Sequence, residues 1–261
     1  MVLAKDTGFL LRKVAFSESS FILKAFTREH GLVSLMAKGA KRPTSRWRGL
    51  LQPVLHLQFL FPEFSRSELR FLGEVSLLRD FSSLRENPVK QGLAHVFAEV
   101  LLKYSPSESD AAQFHDLVLA ANEGLENAAS ERETLQQNLC GFLLKYCALC
   151  GFQPQFRVCV RCGEAVSGPK IPFQMDRGGP VCSRCQRQES ATHSLRENVV
   201  HWLDALQTAE EKSSLPPKSS GSLGKADAGQ AEEFLLHYLG THAGGEKNLK
   251  SIAVWHELME T

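Results

Sequence analysis

Short apolar runs separated by turn-forming residues dominate the first eighty residues of the chain. The runs are rich in Phe, Leu, Ile and Val, and Gly, Pro, Ser and Glu stand between them. This pattern predicts five strands, at 7–14, 20–27, 32–37, 54–61 and 69–76. Several runs alternate only in part, which favours a small closed barrel of the OB type, with an SH3-like barrel as the alternative.

From Asn87 onward the apolar positions follow a helical period. Asn87 is a favourable N-cap, and proline is favoured at the first helical position that follows it. Further helices are predicted near 110–124, after the capping boxes at 130–133 and 194–197, at 230–242 and at 252–259. A segment rich in Ser, Gly, Pro and Lys, about 209–229, is predicted to be a flexible linker.

These patterns predict a multidomain α+β fold, in which an N-terminal OB-fold barrel precedes an α-helical domain with an embedded four-cysteine zinc module. The predicted domains are a nucleic-acid-binding barrel at 1–80, a first helical part at 81–150, a zinc module at 151–190 and a second helical part at 191–261.

The composition excludes several classes of protein. Apolar residues make up 43% of the chain and charged residues 23%, values that argue against a disordered chain, a collagen or a disulfide mini-scaffold. No apolar run approaches the ~18–20 residues of a membrane-spanning helix, and the N-terminus does not resemble a secretory signal. We therefore expect a cytoplasmic protein that does not contact a membrane.

The formal net charge of +1 hides a segregation of charge along the chain. Residues 1–80 carry 13 Lys and Arg against 7 Asp and Glu, and residues 81–156 carry 5 against 9. The balance is 6 against 2 in residues 157–187 and 6 against 11 in residues 188–261. Basic segments of this kind suit contact with a polyanion, and chance variation on solvated surfaces is the alternative.

The strongest basic segment is 37–48, which holds five cationic side chains and no anionic one. Small barrels bind nucleic acids through a positive groove beside aromatic rings, so we interpret this segment as a DNA-binding loop. A solvated loop is the alternative, and Trp47 is equally consistent with a buried anchor. The candidate DNA-binding residues are Arg12, Lys13, Lys24, Arg28, Lys38, Lys41, Arg42, Arg46, Trp47 and Arg48.

Six of the seven cysteines form C-x-x-C pairs, at 147/150, 159/162 and 182/185. In a reducing compartment such pairs indicate a metal before a disulfide. The pairs at 159/162 and 182/185 are separated by nineteen residues, a spacing typical of a closed structural Zn²⁺ site. We therefore predict one structural zinc ion, which holds its segment folded. The predicted ligands are Cys159, Cys162, Cys182 and Cys185.

Other roles for the cysteines stay open at this point. A set of 147/150/159/162 is sterically possible, as is a redox role without metal. Cys140 is most simply a small buried residue. None of the nine histidines is followed two residues later by Glu, so a zinc deaminase motif is missing, and no nucleotide-binding or hydrolase motif occurs. We do not expect an enzyme.

Several segments, in this order along the chain, resemble the RecO family of bacterial recombination mediators. They are 27–32, 37–42, 45–46, 51–53, 151–154, 159–163, 178–185, 234–239 and 249–252. Each motif is moderately specific alone, and their common order makes the set specific. In this resemblance Lys38, Lys41, Arg42 and Arg46 match the family's DNA-binding loop, and the cysteines at 159, 162, 182 and 185 match its zinc ligands.

The resemblance implies a function in DNA repair without catalysis of bond chemistry. RecO-like proteins bind single- and double-stranded DNA, anneal complementary strands and, with RecR, help to load RecA on strands coated by single-strand-binding protein. The C-terminal tail of that coating protein is expected to dock on the helical domain, and RecF is a possible further partner. The competing hypothesis is a zinc-containing protein-interaction adaptor that has no intrinsic DNA annealing activity.

Overall fold

The computed structural model describes residues 2–64, 67–186, 193–210, 223–245 and 248–260. The chain divides into two compact units. The first consists of Met1–Asn127 with Leu249–Thr261, and the second is Ala128–Asn248.

A six-stranded sheet forms the base of the first unit. Its strands are β1 (Leu3–Ala15), β2 (Phe21–Thr27), β3 (Gly31–Ala37), β4 (His56–Pro62), β5 (Leu69–Phe71) and β6 (Glu74–Arg79). They lie in the order β5-β3-β2-β1-β4-β6 and are antiparallel except where β5 runs parallel to β3. The first four predicted strands are confirmed, with shifted ends.

The fifth predicted strand, 69–76, is wrong as a single element, since it consists of β5 and the start of β6. Between β5 and β6 the backbone changes its hydrogen-bonding partner from β3 to β4. Leu72 N–H donates to Met36 O of β3 at 3.0 Å, and Gly73 N–H donates to Leu60 O of β4 at 2.8 Å. Within the described residues no ladder joins β5 to β6. The strand-rich character of this unit is therefore confirmed, whereas a closed OB barrel stays a prediction.

The core of the sheet follows the two-residue period of its strands. Leu23 and Ala25 of β2 share one buried cluster with Val33 and Leu35 of β3. Strands β1 and β4 supply Leu10, Leu57, Phe59 and Phe61 to the same cluster. Side chains at the intervening positions of these strands point to the other face.

A buried carboxylate holds the turn between β2 and β3. Asp6 is 2% exposed, and its side chain accepts hydrogen bonds from the backbone N–H groups of Glu29 and His30. The ring Nδ1 of His30 lies 2.8 Å from the same carboxylate. Because these donors would otherwise lie unpaired in a partly buried turn, Asp6 fixes the turn geometry.

Four helices complete the first unit. They are α1 (Ser82–Glu86), α2 (Pro88–Lys103), α3 (Ala111–Asn127) and α8 (Lys250–Leu258). Asn87 caps α2 as predicted, since its side chain accepts hydrogen bonds from the N–H groups of Val89 and Lys90. Helix α2 packs against α3 and α8, and α3 packs against β2 and β3.

The second unit combines three long helices with a small sheet. Its helices are α4 (Arg132–Leu149), α5 (Ser183–Gln186), α6 (Glu197–Glu210) and α7 (Lys225–His242), and its strands are β7 (Lys170–Gln174), β8 (Gly179–Pro180) and β9 (His193–Arg196). Helices α4, α6 and α7 pack on one another.

Three details of the predicted helices are wrong. The N-cap of α4 is Glu131, one residue later than the capping box requires. Ser194 belongs to β9, which pairs with β7, so α6 has no cap at that residue. Helix α7 begins at Lys225 and not at 230, which shortens the predicted linker. The remainder of that linker, 211–222, lies outside the described residues.

The segment around the cysteines has more apolar packing than its sequence predicts. Phe156 and Phe173 are buried, and their rings contact that of Phe234 in α7, with centroids 6.3 and 4.7 Å away. The prediction that a zinc ion holds this segment folded is therefore incomplete, because β7 also packs on α7 through these rings. Across the described residues, no helix combines the length and apolar content needed to cross a bilayer.

Candidate nucleic-acid interface and metal cluster

The basic loop between β3 and β4 is a series of tight turns. Backbone hydrogen bonds join Arg42 N–H to Gly39 O at 3.1 Å and Ser45 N–H to Arg42 O at 2.9 Å. Gly39 has φ 74°, a left-handed conformation that glycine adopts without strain. The turns leave the charged side chains of the loop on the outside. Its exposed cations are Lys38, Lys41, Arg42, Arg46 and Arg48.

None of these five cations forms an ion pair with a described carboxylate. Other arginines of the chain do: Arg79 pairs with Glu123 and Glu126, and Arg157 pairs with Asp204 at 2.7 Å. Two loop cations instead donate to backbone carbonyls, Lys41 to Ser17 O at 2.6 Å and Arg46 to Gly73 O at 2.5 Å. A carbonyl does not neutralise a cation, so the loop keeps its positive charge.

The loop and the β1–β2 turn enclose a groove of about 410 Å³. Lys41 N–H donates to Ser19 O at 3.0 Å, which ties the two segments together. Three serines and two cations line the groove beside apolar residues. The lining residues are Phe16, Ser17, Ser19, Ser20, Met36, Lys38, Gly39 and Arg42.

Strand register places two more of the predicted cations beside this groove. Arg12 lies directly opposite Lys24, and Lys24 lies opposite Ser34. Ser34 is two positions from Met36 on β3, so it shares the face of the sheet on which Met36 lines the groove. Arg12 and Lys24 therefore extend the positive charge of the groove along β1 and β2, on the same face of the sheet.

Lys13 reaches the loop from the other face of β1. Its ammonium lies 5.1 Å from the ring centre of Phe21, and that of Lys41 lies 5.6 Å from the same ring. Lys13 also donates to Leu51 O at 2.9 Å. The ammonium groups of Lys13 and Lys41 therefore both lie near the ring of Phe21.

Two predicted DNA-binding residues have other surroundings. Arg28 lies at the far end of β2 and makes a two-pronged hydrogen bond to Asp116 of α3, at 3.0 and 2.9 Å. Trp47 is 7% exposed and belongs to the core cluster. The structure does not bring Arg28 to the groove, and it buries the ring of Trp47.

The four predicted metal ligands converge in the second unit. The sulfur atoms of Cys159, Cys162, Cys182 and Cys185 all lie within 4.8 Å of one another. The Sγ atoms of Cys162 and Cys182 are 3.7 Å apart. In a tetrahedral site with bonds of about 2.3 Å, sulfur atoms lie about 3.8 Å apart, so the cluster has the size that one metal ion requires.

Short loops hold each cysteine pair in this position. Gly163 N–H donates to Cys159 O at 2.9 Å, and Cys159 N–H donates to Glu164 O at 2.8 Å. Val160 N–H donates to Pro180 O at 2.9 Å, which joins the first pair to the second. The two loops therefore approach each other through backbone hydrogen bonds as well as through sulfur.

Electrostatics at the cluster favour ionised sulfur only in part. Burial raises the pKa of Cys159, but backbone N–H groups, chiefly those of Cys182 and Arg161, outweigh burial and lower it to about 6. Burial and the neighbouring thiols raise the pKa of Cys185 to about 12. Four thiolates repel one another, so a cation at their centre is what would allow all of them to ionise.

The other cysteines lie apart from this cluster. Cys140 and Cys147 are buried in α4, and burial raises the pKa of the Cys147 thiol. Among the described residues, only the set at 159, 162, 182 and 185 could hold a metal, so the alternative set containing 147 and 150 is not formed.

Comparison with known proteins decides the family. The model described as recombination protein O N terminal matches residues 1–81, and the one described as recombination protein O C terminal matches residues 85–251. The chain belongs to the RecO family.

Relatives named DNA repair protein RecO match most of the chain. The protein of Anaeromyxobacter dehalogenans strain 2CP-C is 27% identical over 248 residues, which are 95% of this chain and 96% of the relative. That of Bifidobacterium adolescentis is 31% identical, covering 79% and 80%. That of Pelotomaculum thermopropionicum is 32% identical, covering 79% and 77%. The chain is therefore similar to DNA repair proteins of this family along nearly its whole length.

Sequence reasoning missed two exposed side chains beside the basic groove. Phe16, in the β1–β2 turn, is 60% exposed and lines the groove. Phe71 is 53% exposed and lies opposite Met36 in the parallel pair of β3 and β5. The signal available in the sequence was weak, because most phenylalanines of such a unit are buried and only strand register separates the exposed ones.

Proposed function

We propose that the chain binds single- and double-stranded DNA through the basic surface of its first unit and anneals complementary strands. The observation that carries this proposal is that five exposed loop cations have no carboxylate partner among the described residues. Unpaired cations on one surface attract the phosphates of a nucleic acid and release its counterions. The serines that line the groove would supply further phosphate donors through their hydroxyls.

The strand-rich unit supports this function as an OB-type barrel. Its support is the bridge that residues 72–73 make between β3 and β4, which brings the two edges of the sheet near each other. OB folds combine a positive groove with exposed rings to bind nucleic acids.

With RecR, the protein would help to load RecA on strands coated by single-strand-binding protein, whose C-terminal tail would dock on the helical domain. RecF would be a further partner. These roles rest on membership of the family. A function on chromosomal DNA also supports a cytoplasmic location, and it requires no catalytic centre.

We further propose that the cysteine cluster holds one structural zinc ion. Four sulfur ligands fill a tetrahedral site and leave no position for a reacting water. The Arg184 guanidinium, hydrogen-bonded to the Cys162 sulfur, would offset part of the negative charge of such a site. Metal analysis of reduced protein should give one zinc per chain, and Cys182→Ser should abolish it, whereas Cys140→Ser should not.

Strand annealing tests the proposed function most directly. Two complementary oligonucleotides, one carrying a donor dye and the other an acceptor, are mixed with and without purified protein. We expect the protein alone to accelerate the rise in energy transfer, and a variant with Lys38, Lys41, Arg42 and Arg46 changed to alanine to lose most of the acceleration. An adaptor that only connects proteins would give no acceleration, and that result would refute the proposal.

A further inference from the structure

Two phenylalanine rings stand exposed beside the basic groove. Phe16 lines it together with Lys38 and Arg42. Phe71 lies opposite Met36, another lining residue, and the Lys38 ammonium is 4.2 Å from the centre of the Phe71 ring. Rings and cations therefore form one continuous surface.

The exposure of these rings contrasts with the other phenylalanines on the strands. Four of them are fully buried, namely Phe9, Phe26, Phe59 and Phe61, and Phe21 is half-buried against the core. An exposed ring forgoes the stabilisation that burial would provide. Two such rings at the margins of one cationic groove therefore indicate a ligand with both flat apolar faces and negative charge.

We infer that Phe16 and Phe71 are stacking surfaces for the bases of single-stranded DNA, while Lys38 and Arg42 hold the neighbouring phosphates. This inference rests on the proposed DNA-binding function and adds strand selectivity to it. Bases of a single strand have free faces that stack on aromatic rings. In a duplex those faces are covered by neighbouring base pairs, so a duplex would contact only the cations.

The dimensions and stiffness of the groove fit this ligand. Its volume of about 410 Å³ lies within the usual range for small-molecule sites, which is enough for a flat base. The turn that carries Phe16 is held by a hydrogen bond from Phe16 N–H to Ser20 O at 3.1 Å, and its neighbour Ser19 accepts from Lys41. The backbone that carries the ring therefore needs little reordering when a base stacks on it.

The mixed chemistry of the groove favours a nucleic acid over an apolar protein segment. Sites for apolar segments expose contiguous apolar patches. Here three serines, at 17, 19 and 20, and two cations line the groove together with Phe16. These groups match the sugar and phosphate of a strand better than a hydrophobic helix.

The test compares Phe16→Ala and Phe71→Ala with the parent, using fluorescence anisotropy on a single-stranded oligonucleotide and on its duplex. We expect each substitution to weaken single-strand binding by roughly 5- to 150-fold, the usual value of one base–aromatic stack. Duplex affinity and the salt dependence of binding should stay unchanged, because no cation is removed. Phe16→Tyr and Phe71→Tyr keep a flat ring and should restore binding.

Phe64→Ala is the matched control: Phe64 is 79% exposed, but unlike Phe16 it does not line the groove, and unlike Phe71 it has no described cation over its ring. It should leave both affinities unchanged. An oligonucleotide containing 2-aminopurine gives a second readout: stacking on a ring quenches its fluorescence, and the quenching should be lost in the alanine variants.

Each outcome has a distinct meaning. Equal losses on single strand and duplex would show a structural effect and overturn the inference, as would unchanged single-strand affinity in both variants. Unchanged DNA binding with lost binding of a partner protein would assign the rings to protein docking instead. If the parent bound neither form of DNA, the proposed function itself would fail.

Discussion

Removal of the loop cations should lower the salt dependence of single-strand binding by an amount that can be worked from the structure. Lys38, Lys41, Arg42 and Arg46 are exposed, and none is paired with a described carboxylate, so each is able to neutralise one phosphate. The log–log slope of affinity against salt is roughly 0.7 per phosphate on single strands, so four alanines should reduce it by about 2.8. Between 50 and 200 mM salt, the parent should then lose about fifty-fold more affinity than the variant.

A pair of single substitutions separates this local effect from a change in net charge. Arg42→Ala and Lys103→Ala each remove one positive charge, but Lys103 is paired with Glu99 at 3.0 Å in α2. We expect Arg42→Ala to lower the slope by about 0.7 and Lys103→Ala to leave it unchanged. Anisotropy titrations at four salt concentrations measure the slope, and circular dichroism confirms that each variant is folded. The reasoning is wrong if the quadruple variant keeps the slope of the parent, or if Lys103→Ala has the same effect as Arg42→Ala.

Three further predictions concern stability. Asp6→Ala removes a buried carboxylate and leaves the N–H donors of the partly buried β2–β3 turn unpaired. It should lower the free energy of unfolding by about 3 kcal/mol in urea titrations, and a loss below about 1 kcal/mol would contradict its role in the turn. Burial, and then the neighbouring His115, lower the pKa of His56 to about 4, so the folded state resists protonation. Stability should therefore be full above about pH 6.5 and fall by about 1–2 kcal/mol, after allowance for partial exposure, as the pH drops to 4; His56→Gln should flatten this profile, and a parallel profile would refute the assignment. Gly178 has φ 70°, and a Cβ there would lie 2.6 Å from the Tyr238 hydroxyl. Gly178→Ala should therefore lower the midpoint temperature of thermal unfolding by several degrees. An unchanged midpoint would contradict that contact.

The features predicted well from sequence are those that short segments encode by themselves. The first four strands follow from apolar runs between turn-formers, and α2 follows from Asn87 and Pro88. The cysteine cluster follows from spacing, because two C-x-x-C loops are already shaped to present paired sulfurs and need only be brought together. The basic loop follows from its charge.

The features that sequence reasoning missed depend on partners far along the chain. Ser194 fits a capping box, but β9 pairs with β7, and this ladder overrides the local signal. The segment around the cysteines has no period, yet Phe173 is buried because Phe234, from a distant helix, packs against it. Trp47 lies among cations in the sequence but is buried, whereas Phe16 belongs to no sequence motif and is exposed. For an aromatic residue in a short loop, composition does not determine on which side of the sheet the ring lies.

The arrangement of charge within the first unit gives a physical reason why the groove attracts a polyanion. Arg12 and Lys24 lie directly opposite each other, an arrangement of like charges that destabilises a pair of strands by up to about 1 kcal/mol. The Lys24 ammonium donates a hydrogen bond to the Ser34 hydroxyl at 2.6 Å. Because this hydroxyl is neutral, the bond does not neutralise the positive charge of Lys24. Just beyond the far end of the same strand, by contrast, Arg28 pairs with Asp116 at 2.9 Å. No described carboxylate thus compensates this repulsion on the side of the sheet that carries the groove, and a bound phosphate would relieve it. DNA binding should for this reason stabilise the first unit by more than the contacts of the loop alone supply.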